Sequence, residues 1–368
     1  MLQLAVAAAR VLALAMVLVA TCTACGHASP VRDSLRTTAF VTLPLPDSAG
    51  PLVEVAAIRT VRGPGAPATV AKATGGCPAG AVLVGGGVSL APMGGGTPPP
   101  SLHTDGTFPS DSSGKPATVS GARPGAWTAV GATGGQLVLG AGTTEFALCI
   151  EGVEATSQVA VASVAGPAVA ATTARATAQC PALTRLLGGG GLTALTSHKA
   201  PLKGPDQPGA PSPSLKLTGS FPSGPDGSPI TISGSAAGAW TAVADSGGRT
   251  GAGVETTAFA VCGSVGSART QVAVSTRPGP RSPGGVTTVT ASCPTGAVLL
   301  SGGVKTGPAN GEPQQGLHLT GSFPSGQAGN PVASSGTPAN AWTARAEAGG
   351  QGSPAGTATT AFAVCLTR

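Results

Sequence analysis

The sequence has no tyrosine, few aromatic side chains and little charge. Aromatic residues make up 3% of the 368 residues and charged residues 9%, against about a quarter in a typical soluble domain. The absence of Tyr removes the commonest residue of aromatic recognition surfaces. No basic run exceeds two residues, so the net charge of +6 forms no clustered footprint for nucleic acid.

Glycine and proline are abundant instead. Gly (58) and Pro (34) together form a quarter of the chain, while 41% of the residues are hydrophobic. Val, Leu and Ala recur in short alternating runs between Gly/Pro turns, a pattern typical of short strands and not of long helices. The composition therefore predicts an all-β protein.

The N-terminus is typical of a signal peptide, which we place at residues 1–24. Arg10 supplies the positive charge, and the apolar core Val11–Thr21 is shorter than the roughly 20 residues of a transmembrane helix. The run Thr21-Cys22-Thr23-Ala24-Cys25-Gly26 resembles a bacterial lipobox. That resemblance implies lipidation of Cys25 and a lipidated linker over residues 25–50.

Lipidation at Cys22 is the alternative, in which the signal peptide would be cleaved between Thr21 and Cys22. The cysteine count favours Cys25, because removing Cys22 with the signal and lipidating Cys25 leaves six Cys and no unpaired thiol. The six form pairs separated by 72, 82 and 72 residues: Cys77–Cys149, Cys180–Cys262 and Cys293–Cys365. A redox or zinc site at Cys22-x-x-Cys25 is disfavoured, since no second ligand pair accompanies it.

Three copies of one unit follow, and four motifs identify them. The first motif of each copy is a Cys-Pro segment that ends in a Gly run. The motifs Phe-Pro-Ser, Ala-Trp-Thr-Ala and Phe-Ala-x-Cys follow it in that order. The Phe-to-Trp spacing is 19 residues in every copy, and the only three Trp residues occupy matched positions. The units are 51–150, 151–264 and 265–368.

These motifs resemble repeats of secreted actinobacterial proteins: Cys-Pro-x-Gly-x-x-Val/Leu-x-Gly-Gly-Gly, a Phe-Pro-Ser turn, a Trp strand and a final Ala-x-Cys. The resemblance covers residues 51–368 apart from inserted loops. It implies an exported β protein and conveys no activity. Copy two departs from the pattern at Leu183, where the others have Gly80 and Gly296, so we expect its turn after Cys-Pro to differ.

Each unit is expected to be an antiparallel β-sandwich or small barrel, closed by its own disulfide. We predict about seven short strands per unit, one of them around Thr231-Ile232-Ser233. The Gly-Gly-Gly runs lack the Lys-Ser/Thr of a phosphate loop. They are more typical of close approach by another group, and we expect the face of the Trp to lie across them.

No motif for catalysis stands out. His103, Lys216 and His318 occupy equivalent positions five residues before their Phe, and a solvated strand face explains this trio better than chemistry does. The acidic residues follow no repeat, so no paired carboxylates share acid and base roles. No cofactor or metal site is expected, because the Cys are committed to disulfides.

Trp127, Trp240 and Trp342 allow two interpretations. Burial in each unit's core is favoured, and three exposed sugar-stacking platforms are the alternative. The interval from first Cys to Phe is 31, 41 and 30 residues. It varies through three loops, Ala91–Ser101, Leu195–Ser214 and Lys305–Gln315. Binding residues often lie on loops that differ on a fixed scaffold, although unconstrained drift gives the same pattern.

The sequence thus favours a lipid-anchored envelope protein that acts by binding or by structural presence, without catalysis. We expect it at the outer face of the cytoplasmic membrane or in the cell wall, with a cell-wall glycan or protein as partner and no nucleic acid. A three-site carbohydrate-binding module is the alternative function.

Overall fold

A computed structural model of the protein describes residues 52–136, 138–195, 214–247, 253–308, 316–350 and 352–367. Residues 48–368 form one compact unit. The described chain is all β, and each repeat contributes six strands. Repeat 1 contains β1 (Leu52–Arg62), β2 (Val70–Gly76), β3 (Val82–Pro92), β4 (Leu102–Ser110), β5 (Ala126–Thr133) and β6 (Ala141–Glu151).

The other two repeats have strands at the matching places. Repeat 2 contains β7 (Ala155–Ala165), β8 (Thr173–Gln179), β9 (Arg185–Leu195), β10 (Leu215–Ser223), β11 (Ala239–Ser246) and β12 (Val254–Val265). Repeat 3 contains β13 (Arg269–Pro278), β14 (Val286–Ser292), β15 (Val298–Pro308), β16 (Leu317–Ser325), β17 (Ala341–Ala348) and β18 (Thr357–Thr367).

The strands form three six-stranded antiparallel sheets, and each sheet is shared by two repeats. The strand orders are β1-β6-β3-β16-β17-β14, β2-β5-β4-β9-β12-β7 and β13-β18-β15-β10-β11-β8. Every sheet joins the first, sixth and third strands of one repeat to the fourth, fifth and second strands of another. The sharing runs from repeat 1 to 2, from 2 to 3 and from 3 back to 1. The repeats therefore close into a ring with threefold pseudosymmetry.

The pairing between repeats is short. Strand β4 pairs with β9 only through Gly106↔Leu192 and Thr107↔Gly191, and the other two junctions are equally brief. The loop between the fourth and fifth strands adds a second connection. Gly121 N donates to the carbonyl of Val159 at 2.8 Å, and matching loops cover the first strands of repeats 3 and 1. These loops shield strand edges that would otherwise expose unpaired backbone groups.

The strand predicted around Thr231-Ile232-Ser233 is not formed. This segment bends, and Ile232 is 70% exposed. A hydrogen bond from Ser235 N to the Ile232 carbonyl closes a turn here. Gly234 and Ser235 then bond to the backbone of Val272 in repeat 3. The segment belongs to the loop between β10 and β11 of repeat 2, whose backbone bonds to the first strand of repeat 3.

The disulfides pair as predicted within repeats: Cys77–Cys149, Cys180–Cys262 and Cys293–Cys365, with Cα–Cα distances of 5.8, 5.5 and 5.7 Å. Each joins the residue that follows a repeat's second strand to its last strand. Closing a 72-residue loop is worth roughly 4 kcal/mol in the chain-entropy account. That is a large share of a domain's net stability.

The core of each repeat is a tryptophan lying across a glycine run, as predicted. A methyl group added at Gly86, Gly189 or Gly302 would overlap the indole of Trp127, Trp240 or Trp342 respectively. The glycines therefore allow the indole to contact the backbone of the third strand. Each indole is the largest buried side chain of its repeat, and it packs among Ala, Val, Leu and Phe side chains.

The expectation of a different turn at Leu183 is wrong. Leu183 has φ 67°, close to φ 88° at Gly80 and φ 81° at Gly296. The same hydrogen bond closes the turn in every repeat, Thr184 N to Pro181 O in repeat 2. Leu183 thus occupies a left-handed conformation that L-residues adopt at a cost of about 1–2 kcal/mol, and its side chain is fully exposed.

Candidate functional site

The fourth strands of the three repeats meet around the pseudo-threefold axis. Strands β4, β10 and β16 contact one another, and each begins directly after one of the three variable loops. The matched residues His103, Lys216 and His318 are the second residues of these strands. Residues 196–213 and 309–315, which belong to the second and third variable loops, lie outside the described residues.

The trio is not a solvated face, and that expectation is wrong. His103 is 5% and His318 3% exposed, and Lys216 is half-buried. The two imidazole rings approach edge to face with centroids 6.3 Å apart. These three side chains, one from each repeat, converge because the strands that carry them pack around a common axis.

Both histidines are oriented by backbone hydrogen bonds. His103 Nδ1 lies 3.0 Å from the carbonyl oxygen of Ser101, and His318 is bonded to the backbone at Gly316. A carbonyl only accepts, so Nδ1 of His103 donates and the neutral ring presents an Nε2 lone pair. Burial, reinforced by the charge of Lys216, lowers the pKa of His103 to about 4 and the pKa of His318 well below its usual value.

Each histidine faces a buried carboxylate. His103 Nε2 lies 3.4 Å from Asp105 Oδ1, and His318 Nε2 lies 3.9 Å from Glu347 Oε2. Both carboxyl groups are fully buried, and none of their oxygens accepts a hydrogen bond from the residues that the structure describes. Burial raises the pKa of Asp105 well above its ordinary value. It also raises the pKa of Glu347 to about 8, against the opposing charge of Arg345.

The acidic partners come from two different positions in the repeat. Asp105 is the extra residue of a β-bulge between Thr104 and Gly106. Glu347 lies directly opposite His318 across the strand pair, as Asp245 lies opposite Lys216. Residues two apart on a strand lie on the same face, so Asp105 is placed beside His103 on the same strand.

Sequence reasoning missed these carboxylates, although one signal was present. Asp245 and Glu347 both stand five residues after their Trp, where repeat 1 has Ala132. The matched position was hidden because its residues differ in all three copies. Asp105 carried no such signal, since Thr218 and Thr320 replace it in the other repeats.

Two cations complete the cluster. Burial lowers the pKa of Lys216, and Asp245 opposes that effect. Arg345 connects repeat 3 to repeat 1 through hydrogen bonds from its guanidinium to Ser89 Oγ at 3.0 Å and to the Leu90 carbonyl at 2.7 Å. Its guanidinium carbon also lies 5.6 Å from the centre of the Phe323 ring. We call His103, Asp105, Lys216, Asp245, His318, Arg345 and Glu347 the axial cluster.

The axial cluster can hold and exchange protons within a buried junction. A histidine beside a carboxylate is the arrangement of a general base, but both Nε2 atoms are buried, so a substrate would reach them only after movement of the surrounding strands. Among the described residues, no three His, Cys, Asp or Glu side chains are arranged to hold a metal ion.

One further buried carboxylate lies away from the axis. Glu145 of β6 is fully buried, and within the described part of the chain neither of its oxygens accepts a hydrogen bond. A methyl group added at Gly75 of β2 would overlap it, so it lies inside repeat 1. Burial raises its pKa well above the ordinary value, and Arg59 opposes the shift.

The three tryptophans are buried, as predicted. Each has zero exposure, and each indole Nε1 donates to a hydroxyl on the fourth strand: Trp127 to Thr107, Trp240 to Ser220 and Trp342 to Ser322, at 2.8–2.9 Å. Their ring faces are covered and offer no platform to a sugar in this structure.

The predicted lipid site, Cys25, lies outside the described residues. In the part of the chain that the structure describes, no helix is long and apolar enough to cross a membrane. No protein-family model and no curated protein matches this sequence.

Proposed function

We propose that this protein is an exported, lipid-anchored envelope protein that acts by binding, through a surface formed by its three variable loops. The observation that carries the proposal is the position of the strands that follow these loops. β4, β10 and β16 contact one another at the axis, so the three loops are attached to one scaffold. Loops held on a rigid scaffold are a common site of binding.

The compartment is supported by the cysteine chemistry. Three intrarepeat disulfides are compatible with an oxidising, extracytoplasmic location. Lipid attachment at Cys25 would hold the protein at the outer face of the cytoplasmic membrane, within reach of cell-wall glycan or envelope proteins. A lipid on the mature N-terminal residue, found by mass spectrometry, is the expected result. An unmodified start beyond Cys25 contradicts the anchor.

A non-catalytic role is favoured over catalysis because the two His–carboxylate pairs are enclosed. The carbohydrate-binding alternative loses its stacking platforms with the burial of the tryptophans. A glycan would have to be bound by the polar side chains and backbone of the variable loops.

The test is retention of the mature, disulfide-intact protein on isolated envelope fractions and on a glycan array. Replacing residues 198–207 of the second variable loop, which include His198, Lys199 and Lys203, with a Gly/Ser segment of equal length is expected to reduce retention several-fold. Ile232→Ser is the control, since Ile232 is exposed but lies outside the variable loops. Equal retention of the loop variant and the parent protein contradicts the proposal, as does turnover of any substrate that depends on His103.

A further inference from the structure

The axial cluster lies where all three repeats are held together. His103 belongs to repeat 1, Lys216 to repeat 2 and His318 to repeat 3, and their strands contact one another. Arg345 of repeat 3 bonds to β3 of repeat 1 beside it. The backbone pairing at each of these junctions is two residue pairs long, which is shorter than any strand pairing within a repeat. The state of the axial cluster therefore affects how firmly the ring is closed.

Each His–carboxylate pair lacks a donor between two acceptors. His103 Nε2 presents a lone pair, and the Asp105 oxygen 3.4 Å away is also an acceptor. His318 and Glu347 repeat this arrangement at 3.9 Å. Burying an anionic carboxylate without a hydrogen-bond donor is strongly unfavourable. One proton on each carboxyl group removes its charge, and on Asp105 it also supplies a donor that faces His103 Nε2.

We propose that the axial cluster is a proton-held latch: each of the buried carboxyl groups, Asp105 and Glu347, keeps one proton in the folded protein at neutral pH, and loss of these protons at alkaline pH loosens the junction of the three repeats. This inference does not rest on the proposed binding function.

The remaining charged groups that face the two pairs act on the pKa values of their members. They are Lys216 on β10, Asp245 on β11 and Arg345 on β17. Burial, reinforced by the charge of Lys216, lowers the pKa of both histidines, so the proton of each pair lies on the carboxyl group. Arg345 opposes the raised pKa of Glu347. Glu347 consequently loses its proton near pH 8, and burial raises the pKa of Asp105 well above its ordinary value without an opposing cation.

The effect on stability falls on the alkaline side. In the unfolded chain, carboxyl groups ionise near pH 4 and histidines near pH 6.5. Raised carboxyl pKa values therefore contribute stability at low pH that is lost as the pH rises through the folded values, about 8 for Glu347. The lowered histidine pKa values act oppositely, since their contribution is lost as the pH falls from about 6.5 toward 4. Above pH 6.5 the histidines no longer affect the slope, and the lowered pKa values of Lys216 and Arg345 act in the opposite sense to the carboxyl groups.

The first experiment measures urea unfolding of the disulfide-intact protein from pH 6.5 to 8. Each extra proton held by the folded state changes the unfolding constant about tenfold per pH unit. Glu347→Gln is expected to reduce the pH dependence of the unfolding constant by about a factor of ten per pH unit. Glu151→Gln, at an exposed position, is expected to leave the slope unchanged. An unchanged slope in Glu347→Gln overturns the proposal.

A second experiment remains informative if a variant is unstable. The infrared C=O stretch of a protonated carboxylic acid is expected in the folded parent protein at pH 7, weakened in Asp105→Asn and again in Glu347→Gln. Hydrogen exchange then tests the latch itself. At pH 9, corrected for intrinsic rates, amides of β4, β10 and β16 should exchange several-fold faster relative to other strands in the parent protein, but not in Glu347→Gln.

Glu145→Gln is the matched control, because Glu145 is equally buried but lies inside repeat 1. It should weaken the infrared band without preventing the alkaline loosening of the axial strands. If Glu145→Gln suppresses that loosening as fully as Glu347→Gln does, or if neither axial substitution changes the band, the latch is refuted.

Discussion

At the scale of single residues, the two most informative positions are a buried tryptophan and an exposed leucine. Trp240 fills the centre of its repeat and donates a hydrogen bond to Ser220. Leu183 lies on the surface in a backbone conformation that glycine occupies in the other repeats. One residue stabilises its repeat by packing, and the other adds backbone strain without packing against any core.

Trp240→Ala is expected to lower the free energy of unfolding by about 3–5 kcal/mol, the usual cost of removing a large buried aromatic side chain. Urea unfolding followed by circular dichroism measures this loss. In the parent protein the three indoles should emit blue-shifted fluorescence and resist aqueous quenchers. A red-shifted, readily quenched spectrum from folded protein would show that the tryptophans are exposed and would restore the sugar-platform interpretation.

Leu183→Gly is expected to raise the free energy of unfolding by up to about 1 kcal/mol. Glycine relieves the left-handed strain, although its greater freedom in the unfolded chain offsets part of the gain. Gly80→Leu is the reciprocal change and should destabilise the protein by about 1–2 kcal/mol. Thermal unfolding compares the two. A loss of stability in Leu183→Gly would mean that the exposed leucine makes a stabilising contact.

At the scale of elements, the third strand of each repeat depends on its glycines. Gly189→Ala in β9 would place a methyl group against the ring of Trp240 and the carbonyl oxygen of Phe259. Forcing an atom into a packed site costs about 1–3 kcal/mol, and we expect at least that loss. Gly238→Ala is the control, because a methyl group there meets open space. Denaturant midpoints that fall equally in both variants would contradict this packing.

Interactions within one repeat could be predicted from the sequence, whereas those between repeats could not. The disulfide pairs, the Trp-over-Gly packing and the burial of the tryptophans were predictable because each repeats at a fixed spacing within one unit. The sharing of sheets was not, since strands such as β4 and β9 join through only two residue pairs. The axial cluster was hidden for the same reason. Its members lie on strands from three repeats, and matched positions such as Ala132, Asp245 and Glu347 differ in every copy.

At the scale of the whole molecule, the ring makes the repeats mutually dependent. Strand β3 of repeat 1 and β10 of repeat 2 both border strands of repeat 3, and the loop near Gly336 covers β1. Removing repeat 3 would therefore expose two unpaired strand edges and the buried charges of the axis.

The full protein is expected to unfold in one cooperative transition, and a fragment of residues 51–264 should not fold to a native-like state. Calorimetry of the full chain and amide dispersion in NMR spectra of the fragment check these outcomes. Three separate transitions, or a well-folded fragment, would indicate that the repeats fold independently and that the shared sheets add little stability.

The mixed composition of the axial cluster bears on what a symmetric assembly of this fold could tolerate. A homotrimer built from one repeat would place identical side chains at every axial position. Copies of repeat 2 alone would bring three lysines together there, and copies of repeat 3 would bring three histidines with three glutamates. Joining three different copies in one polypeptide allows bases, acids and neutral residues to alternate around the axis. Covalent fusion thus permits symmetry to be broken at the place where identical charges would repel one another most.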